Sequence, residues 1–176
     1  MSVLVLTGSA RSESFTRHLG AAIADSAAGG QLAPRLTELP FFDQDLESTP
    51  PAAVQALRAQ VAAADTVVVV TPEYNGTIPG LLGNAIDWLS RGFDGQPAVL
   101  QGKPVVAVAA SPGGVGGVRA LVSLRTVLGN AGADLSDATL TVAEVHARVT
   151  DGRADAGLQS ELDALIAALV PAPLAA

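Results

Sequence analysis

The chain has no cysteine among its 176 residues, which removes disulfides, thiolate nucleophiles and thiolate metal ligands together. Its two histidines, His18 and His146, stand alone, and no carboxylate pair lies at ligand spacing from either. Both read as surface or helix-packing residues, so no metal site is expected. Ten Lys and Arg residues face seventeen Asp and Glu, for a net charge of −7. No basic cluster is available to displace counterions, which argues against nucleic acid as a partner. No apolar run approaches the length that spans a bilayer. Val3-Leu4-Val5-Leu6 is too short for a signal peptide and has no basic leader. The expected compartment is the cytoplasm, with no membrane partner. The Walker A, GxGxxG and GxSxG patterns are missing as well. Composition leaves open a Ser-His-Asp arrangement, but no elbow motif presents one.

What remains is an ordered, apolar chain, 49% hydrophobic and 15% charged, of a length that suits one domain over residues 1–176. Val3 to Thr7 reads as a buried strand, followed by a helix from Ser14 or Phe15 that stops near Gly29-Gly30. A second, amphipathic strand is expected at a sheet edge around Pro34 to Leu39. Pro50-Pro51 opens a helix that runs to about Ala64. Asp65 to Thr71 and Pro104 to Ala110 are further apolar strands, each followed by a helix, Gly80 to Arg91 and Val118 to about Ala131. A short strand between Ala138 and Val142 and a helix from about Ala154 to Val170 complete the chain, with Pro171 to Ala176 expected to fray. Five strands alternating with helices specify a parallel α/β sheet of order 2-1-3-4-5, with helices on both faces. The loops after strands one, three and four then meet at one carboxyl edge, where such sheets bind ligands.

Those three loops are the ones richest in Gly, Ser and Pro. The first carries the hydroxyls of Ser9, Ser14 and Thr16, with Arg11, at a helix start. Unpaired donors and the helix dipole make that an anion site, and a single Arg suits a terminal monophosphate better than a triphosphate with magnesium. The alternative is an N-cap cluster in which Ser12 or Ser14 satisfies the helix, and both readings stay open. Pro72-Glu73-Tyr74-Asn75-Gly76 places the only tyrosine where a planar ligand can rest, or it is a surface loop with an incidental aromatic. Ser111-Pro112-Gly113-Gly114-Val115-Gly116-Gly117 lets backbone approach a flat ring, or it is a flexible crossover. Asp43 and Asp45 read as a solvated loop, not a catalytic pair, and Trp88 as core or interface.

Four stretches carry a resemblance to a known family: TGSARSESFTRHL, LPFFDQDLE, ADTVVVVTPEYNGTIPGLLGNAIDWLSR and SPGGVGGVRALVSLR. The chain resembles the NAD(P)H-dependent FMN reductases, flavodoxin-like three-layer sandwiches that include flavin, quinone, azo-dye and chromate reductases. The resemblance implies a flavoprotein oxidoreductase with FMN as cofactor and NADPH or NADH as co-substrate. Hydride passes from the nicotinamide to flavin N5 and then to a small acceptor, by ping-pong kinetics. It implies that Ser9, Arg11, Ser14, Phe15 and Thr16 hold the FMN phosphate. Pro72, Glu73, Tyr74, Asn75 and Gly76 would lie along the isoalloxazine, and Ser111, Gly113, Gly114 and Gly116 would close its other side. No side chain is assigned as catalytic. Relatives often carry Asn at the place of Thr16 and Lys at that of Gly83. The resemblance also implies a homodimer or homotetramer, with the apolar face of Leu81 to Trp88 at the interface. The alternative is a flavodoxin-like electron carrier without NAD(P)H turnover.

Overall fold

Successive apolar side chains in β1 (Val3–Thr7) leave both faces of that strand buried, so it lies in the sheet's interior. The chain continues through α1 (Phe15–Ser26), β2 (Gly30–Leu32), α2 (Ala52–Ala63), β3 (Thr66–Pro72), α3 (Gly80–Leu89), β4 (Pro104–Ala110) and α4 (Val118–Asn130). It closes with β5 (Asp134–Leu135), β6 (Leu140–Val142), α5 (Val145–Arg148), β7 (Val149–Thr150), β8 (Arg153–Ala154) and α6 (Ala156–Ala167). The computed structural model describes residues 1–93 and 95–169. The sheet is parallel, in the order β2-β1-β3-β4-β5, with β6 also on β4. The expected order 2-1-3-4-5 is the one observed.

Side-chain alternation along the strands divides the core in two. Leu4, Leu6, Val67, Val69, Val105 and Ala107 face Leu57 of α2, Ile86 of α3 and Leu124 of α4. Val5, Val68, Val70, Val106 and Val108 face Leu19 and Ile23 of α1 and Leu158 and Leu162 of α6. Each fully buried Val or Leu contributes about 1.5–3 kcal/mol of transfer free energy. The rigid centre therefore lies directly below the loops that leave its carboxyl edge.

A third cluster joins Val54, Trp88 and Phe93, with Phe42 packed edge-on against Trp88 at 4.9 Å between ring centroids. Trp88 Nε1 and Asn84 Nδ2 both donate to the Pro40 carbonyl, at 2.9 and 3.0 Å, and Phe42 N–H donates to Asn84 Oδ1 at 2.7 Å. Trp88 is therefore core. The apolar face expected to serve as an interface is largely consumed in the same way: Leu82, Ala85, Ile86 and Leu89 are buried within the chain itself.

Three expectations need correction. The second strand is Gly30–Leu32, not Pro34 to Leu39. Ala33 N–H makes the last ladder bond, to the Val5 carbonyl at 2.9 Å, after which Pro34 has no N–H to donate and Leu36–Glu38 forms a 3₁₀ turn. The last strand comes in two pieces. Ser136 N–H still pairs with the Val105 carbonyl, but the Ser136 hydroxyl then accepts from Ala138 N–H, turning the chain out of the ladder until Leu140. The final helix starts at Ala156, capped by Asp155, because Arg153–Ala154 pairs with Val149–Thr150 in a small antiparallel hairpin. That hairpin and α5 had no signal in the sequence reading. Val170 and the tail Pro171 to Ala176 lie outside the described residues.

Candidate functional site at the carboxyl edge

The first loop leaves β1 with Gly8 N–H bonded to the Val70 carbonyl at 2.9 Å, so it starts against β3. Ser9 is buried; its hydroxyl accepts from Arg11 N–H at 3.3 Å and lies 3.4 Å from the Tyr74 hydroxyl. That contact joins the first and third loops. Ser14 is the N-cap of α1 and accepts from Arg17 N–H at 3.4 Å, so the capping reading holds for its side chain. The Ser14 and Thr16 hydroxyls are 2.9 Å apart and buried. Capping leaves much of the backbone free. The N–H groups of Ser12, Glu13, Ser14, Phe15 and Thr16 meet no acceptor among the described residues. Arg11 Nη2 donates to the Glu13 carbonyl at 3.0 Å, and its guanidinium carbon lies 5.4 Å from the centre of the Phe15 ring. The Phe15 ring packs against the core beneath it and lies 6.1 Å from the ring of His146 of α5.

The third loop is a closed two-residue turn. Tyr74 and Thr77 exchange backbone bonds of 3.0 and 3.1 Å, and Asn75 and Gly76 between them have φ of 54° and 77°. Positive φ at both central positions is the type I′ geometry, which Asn-Gly adopts with least strain. Tyr74 stands 44% exposed on this turn. Pro72, at the end of β3, is in register with Ala110 of β4.

Glu73 points across the edge, not into it. Its Oε1 accepts from Arg119 Nε at 2.9 Å and lies 2.7 Å from Arg119 Nη2; its Oε2 accepts from Arg119 N–H at 3.2 Å and Ala120 N–H at 3.4 Å. The residue preceding α4 is Gly117, which has no side chain to cap the helix. Glu73 supplies the missing cap from another loop, where a carboxylate also complements the helix dipole. The Arg119 hydrogen bond, followed by those from the α4 backbone, holds the Glu73 carboxyl below the usual glutamate range. Arg119 itself is 72% exposed. This role carried no local sequence signal, because the helix start and its cap lie 46 residues apart.

In the fourth loop, Ser111 N–H donates to the Val142 carbonyl and Val145 N–H returns to the Ser111 carbonyl, both at 3.1 Å. Glu144 N–H donates to the Gly113 carbonyl at 3.2 Å, and the Ser111 hydroxyl to the same oxygen. The segment after β6 thus forms a fourth wall that the sequence reading missed. Gly116 faces that wall: a Cβ there would sit 3.0 Å from Ala143 N. Gly114 faces open space. Of the residues singled out from sequence, Ser9, Ser14, Thr16 and Tyr74 therefore share one edge. Glu73 and Gly116 are committed to holding that edge together. Asp43 is a local cap, accepting from Asp45 N–H at 2.9 Å.

The comparisons with known proteins agree with this geometry. The family model described as NADPH-dependent FMN reductase matches residues 1–147. A quinone reductase of Escherichia coli (strain K12) is 42% identical over 133 residues, which cover 73% of this chain and 69% of that protein. An NADPH azoreductase of Bacillus sp. (strain OY1-2) is 34% identical over 128 residues, covering 73% and 68%. Among solved structures, the flavoenzyme NAD(P)H:(acceptor) oxidoreductase FerB of Paracoccus denitrificans superposes with a TM-score of 0.81 at 30% identity. That match covers 94% of this chain and 95% of the other. No helix among the described residues is long and apolar enough to cross a membrane. A flavodoxin-like sheet, a donor-rich first loop and these matches lead to one assignment: the chain belongs to the NAD(P)H-dependent FMN reductase family and is an oxidoreductase that uses FMN with NAD(P)H.

Proposed function

We propose that the carboxyl edge holds FMN, and that the protein reduces small acceptors such as flavins, quinones or azo compounds at that edge. The observation that carries this reading is the unclaimed run of N–H groups from Ser12 to Thr16, lying beside two buried hydroxyls and Arg11. Such a run at a helix start fits a phosphomonoester. Ser9, Arg11, Ser14, Phe15 and Thr16 would surround the phosphate. Ser9 sits 3.4 Å from Tyr74, so a ligand leaving the first loop meets the third one next. Pro72, Tyr74, Asn75 and Gly76 would border the ring, with Ser111, Gly113 and Gly114 opposite. Glu73 and Gly116 act one step back, fixing the loops to each other.

The chemistry that FMN would supply there is redox, namely hydride acceptance from NADPH or NADH followed by electron transfer to the acceptor in a second half-reaction. The chain's own residues bind and orient. The N–H groups of Asn75 and Gly76 have no acceptor among the described residues and are suited to stabilise negative charge at a reduced ring. No side-chain acid or base is required.

The chain is further read as one FMN-binding domain, cytoplasmic and homo-oligomeric as a dimer or tetramer. The apolar face of α3 is largely buried within the chain, so the oligomer is read from the exposed Val115, Val118 and Val122 on and before α4, with Val122 62% exposed. Light scattering of the purified protein tests it, and a monomer at all concentrations would remove it.

The functional reading is tested by the visible spectrum of the desalted protein, followed by NADPH without oxygen. Flavin absorbance that bleaches on addition is the expected result. Bound flavin that resists NADPH would point to an electron carrier instead. A colourless protein that also leaves added FMN unreduced would overturn the reading.

A further inference from the structure

Arg35 lies outside every loop considered so far, just beyond β2 and before the Leu36–Glu38 turn. Its Nη2 donates to the Ser12 carbonyl at 2.9 Å, across 23 residues of sequence. One residue further along the loop, Arg11 makes the matching bond to the Glu13 carbonyl at 3.0 Å. In a trans peptide the carbonyl oxygen and the following N–H point to opposite sides, and there are no cis bonds among the described residues. Two guanidiniums that hold the Ser12 and Glu13 carbonyls therefore turn the N–H groups of Glu13 and Ser14 away from themselves. Those N–H groups, with Phe15 and Thr16 at the helix start, are the ones left without acceptors.

Arg17 completes the arrangement from the first turn of α1. Its Nη1 donates to the Ala33 carbonyl at 3.2 Å, tying the helix to the strand exit that carries Arg35. Burial, and then the charge of Arg35, holds the Arg17 guanidinium below its ordinary value, so the two cations are close enough to repel. Glu13, the acid within the loop, is exposed and turned toward His18 at 3.8 Å. Three arginines thus gather around one loop in a chain of net charge −7. An anion held by the loop would be attracted by all three charges.

We propose that Arg35 is a positioning residue of the first loop. By holding the Ser12 carbonyl and adding charge beside Arg11 and Arg17, it sets the loop for the dianionic phosphomonoester of FMN over the neutral ribityl end of riboflavin. This rests on the reading of the first loop as the phosphate site. The carbonyl bond sets the direction of the donors; the charge adds a field that only an anion feels.

The test is titration of flavin-free protein with FMN and with riboflavin, for the wild type, Arg35→Ala and Arg35→Lys. The wild type is expected to bind FMN more tightly than riboflavin. Arg35→Ala should weaken FMN by about tenfold, the scale of a lost hydrogen bond to a charged group, and riboflavin by less than about twofold. Arg35→Lys, which keeps the charge and a donor, should recover most of the loss. If Arg35→Ala does not fold, Arg35→Gln carries the same comparison without the charge. Equal weakening of both flavins would make Arg35 merely structural, and no weakening of either would make it idle; each overturns the inference while the phosphate site stands. A wild type that does not prefer FMN over riboflavin would remove the phosphate site itself, and the role of Arg35 with it.

Discussion

The first and third loops both leave apolar strands at the same edge, yet their backbones are used in opposite ways. The third loop closes on itself: Tyr74 and Thr77 satisfy each other and both carboxylate oxygens of Glu73 are spent on α4, which leaves the Asn75 and Gly76 N–H groups open at its tip. The first loop gives up the Ser12 and Glu13 carbonyls to Arg35 and Arg11 and keeps the N–H groups from Ser12 to Thr16 unclaimed. Unsatisfied donors next to a buried segment cost free energy unless a ligand or water takes them, whereas a self-satisfied turn is rigid without help. A polar loop is therefore not yet a site. The difference lies in how much hydrogen-bonding capacity is left over: a run of donors from Ser12 to Thr16 in the first loop, and those of Asn75 and Gly76 at the tip of a fixed platform in the third.

The largest effect is expected at Gly8, where the first loop crosses α3. A Cβ there would lie 3.0 Å from Leu82 Cδ2, within the core. Gly8→Val should destabilise the fold by about 3 kcal/mol and displace the first loop, read as a lower urea midpoint together with lost FMN. Gly76→Val comes next. A Cβ at Gly76 would meet only the exposed Arg119 side chain, at an ordinary 3.8 Å, so the main cost is backbone strain at φ 77°, about 2 kcal/mol, with the third loop loosened while the first keeps its donors. FMN retained with slowed turnover is the expected pattern; loss of FMN instead would erase the distinction between the two loops.

Arg11→Ala should raise the FMN dissociation constant about tenfold while leaving turnover of the FMN-loaded fraction close to wild type. Normal FMN content with reduced turnover would move Arg11 out of the binding role. The smallest effect is expected from Glu73→Gln, and its sign is set by the depressed carboxyl. Because the folded-state value lies below the unfolded one, the latch stabilises fully above about pH 4.3, the ordinary glutamate value, and is lost as pH falls through the folded value. Wild type and Glu73→Gln should therefore differ in melting temperature by a few degrees at pH 7 and converge in acid. A difference that persists unchanged in acid would show that the carboxylate charge is not what holds the latch.

Much of this architecture was legible in the chain itself, and for local reasons. β1 and β4 begin and end where their apolar runs do, since a strand buried on both faces must be apolar throughout. The Asn75-Gly76 turn and the Ser14 cap were equally readable, because both depend on residues that touch their own neighbours in sequence. The strand order followed from alternation and handedness. β2 lies before the expected place because a three-residue edge strand has too short a pattern to outweigh the amphipathic stretch after Pro34. The split last strand turned on one serine hydroxyl competing with the ladder.

Local patterns in the chain thus set which strands are central, where the loops gather, and which family pattern they carry. What each loop does with its polar groups follows from contacts between distant segments. Glu73 belongs to the PEYNG stretch by sequence and to the start of α4 by contact. Arg35 and Ser12 share no local pattern, and α3 spends its apolar face on Pro40, Phe42 and the core. Propensity and periodicity act over a few residues, whereas a carboxylate, a guanidinium or a buried ring takes whichever partner the packed chain brings within 3 or 4 Å.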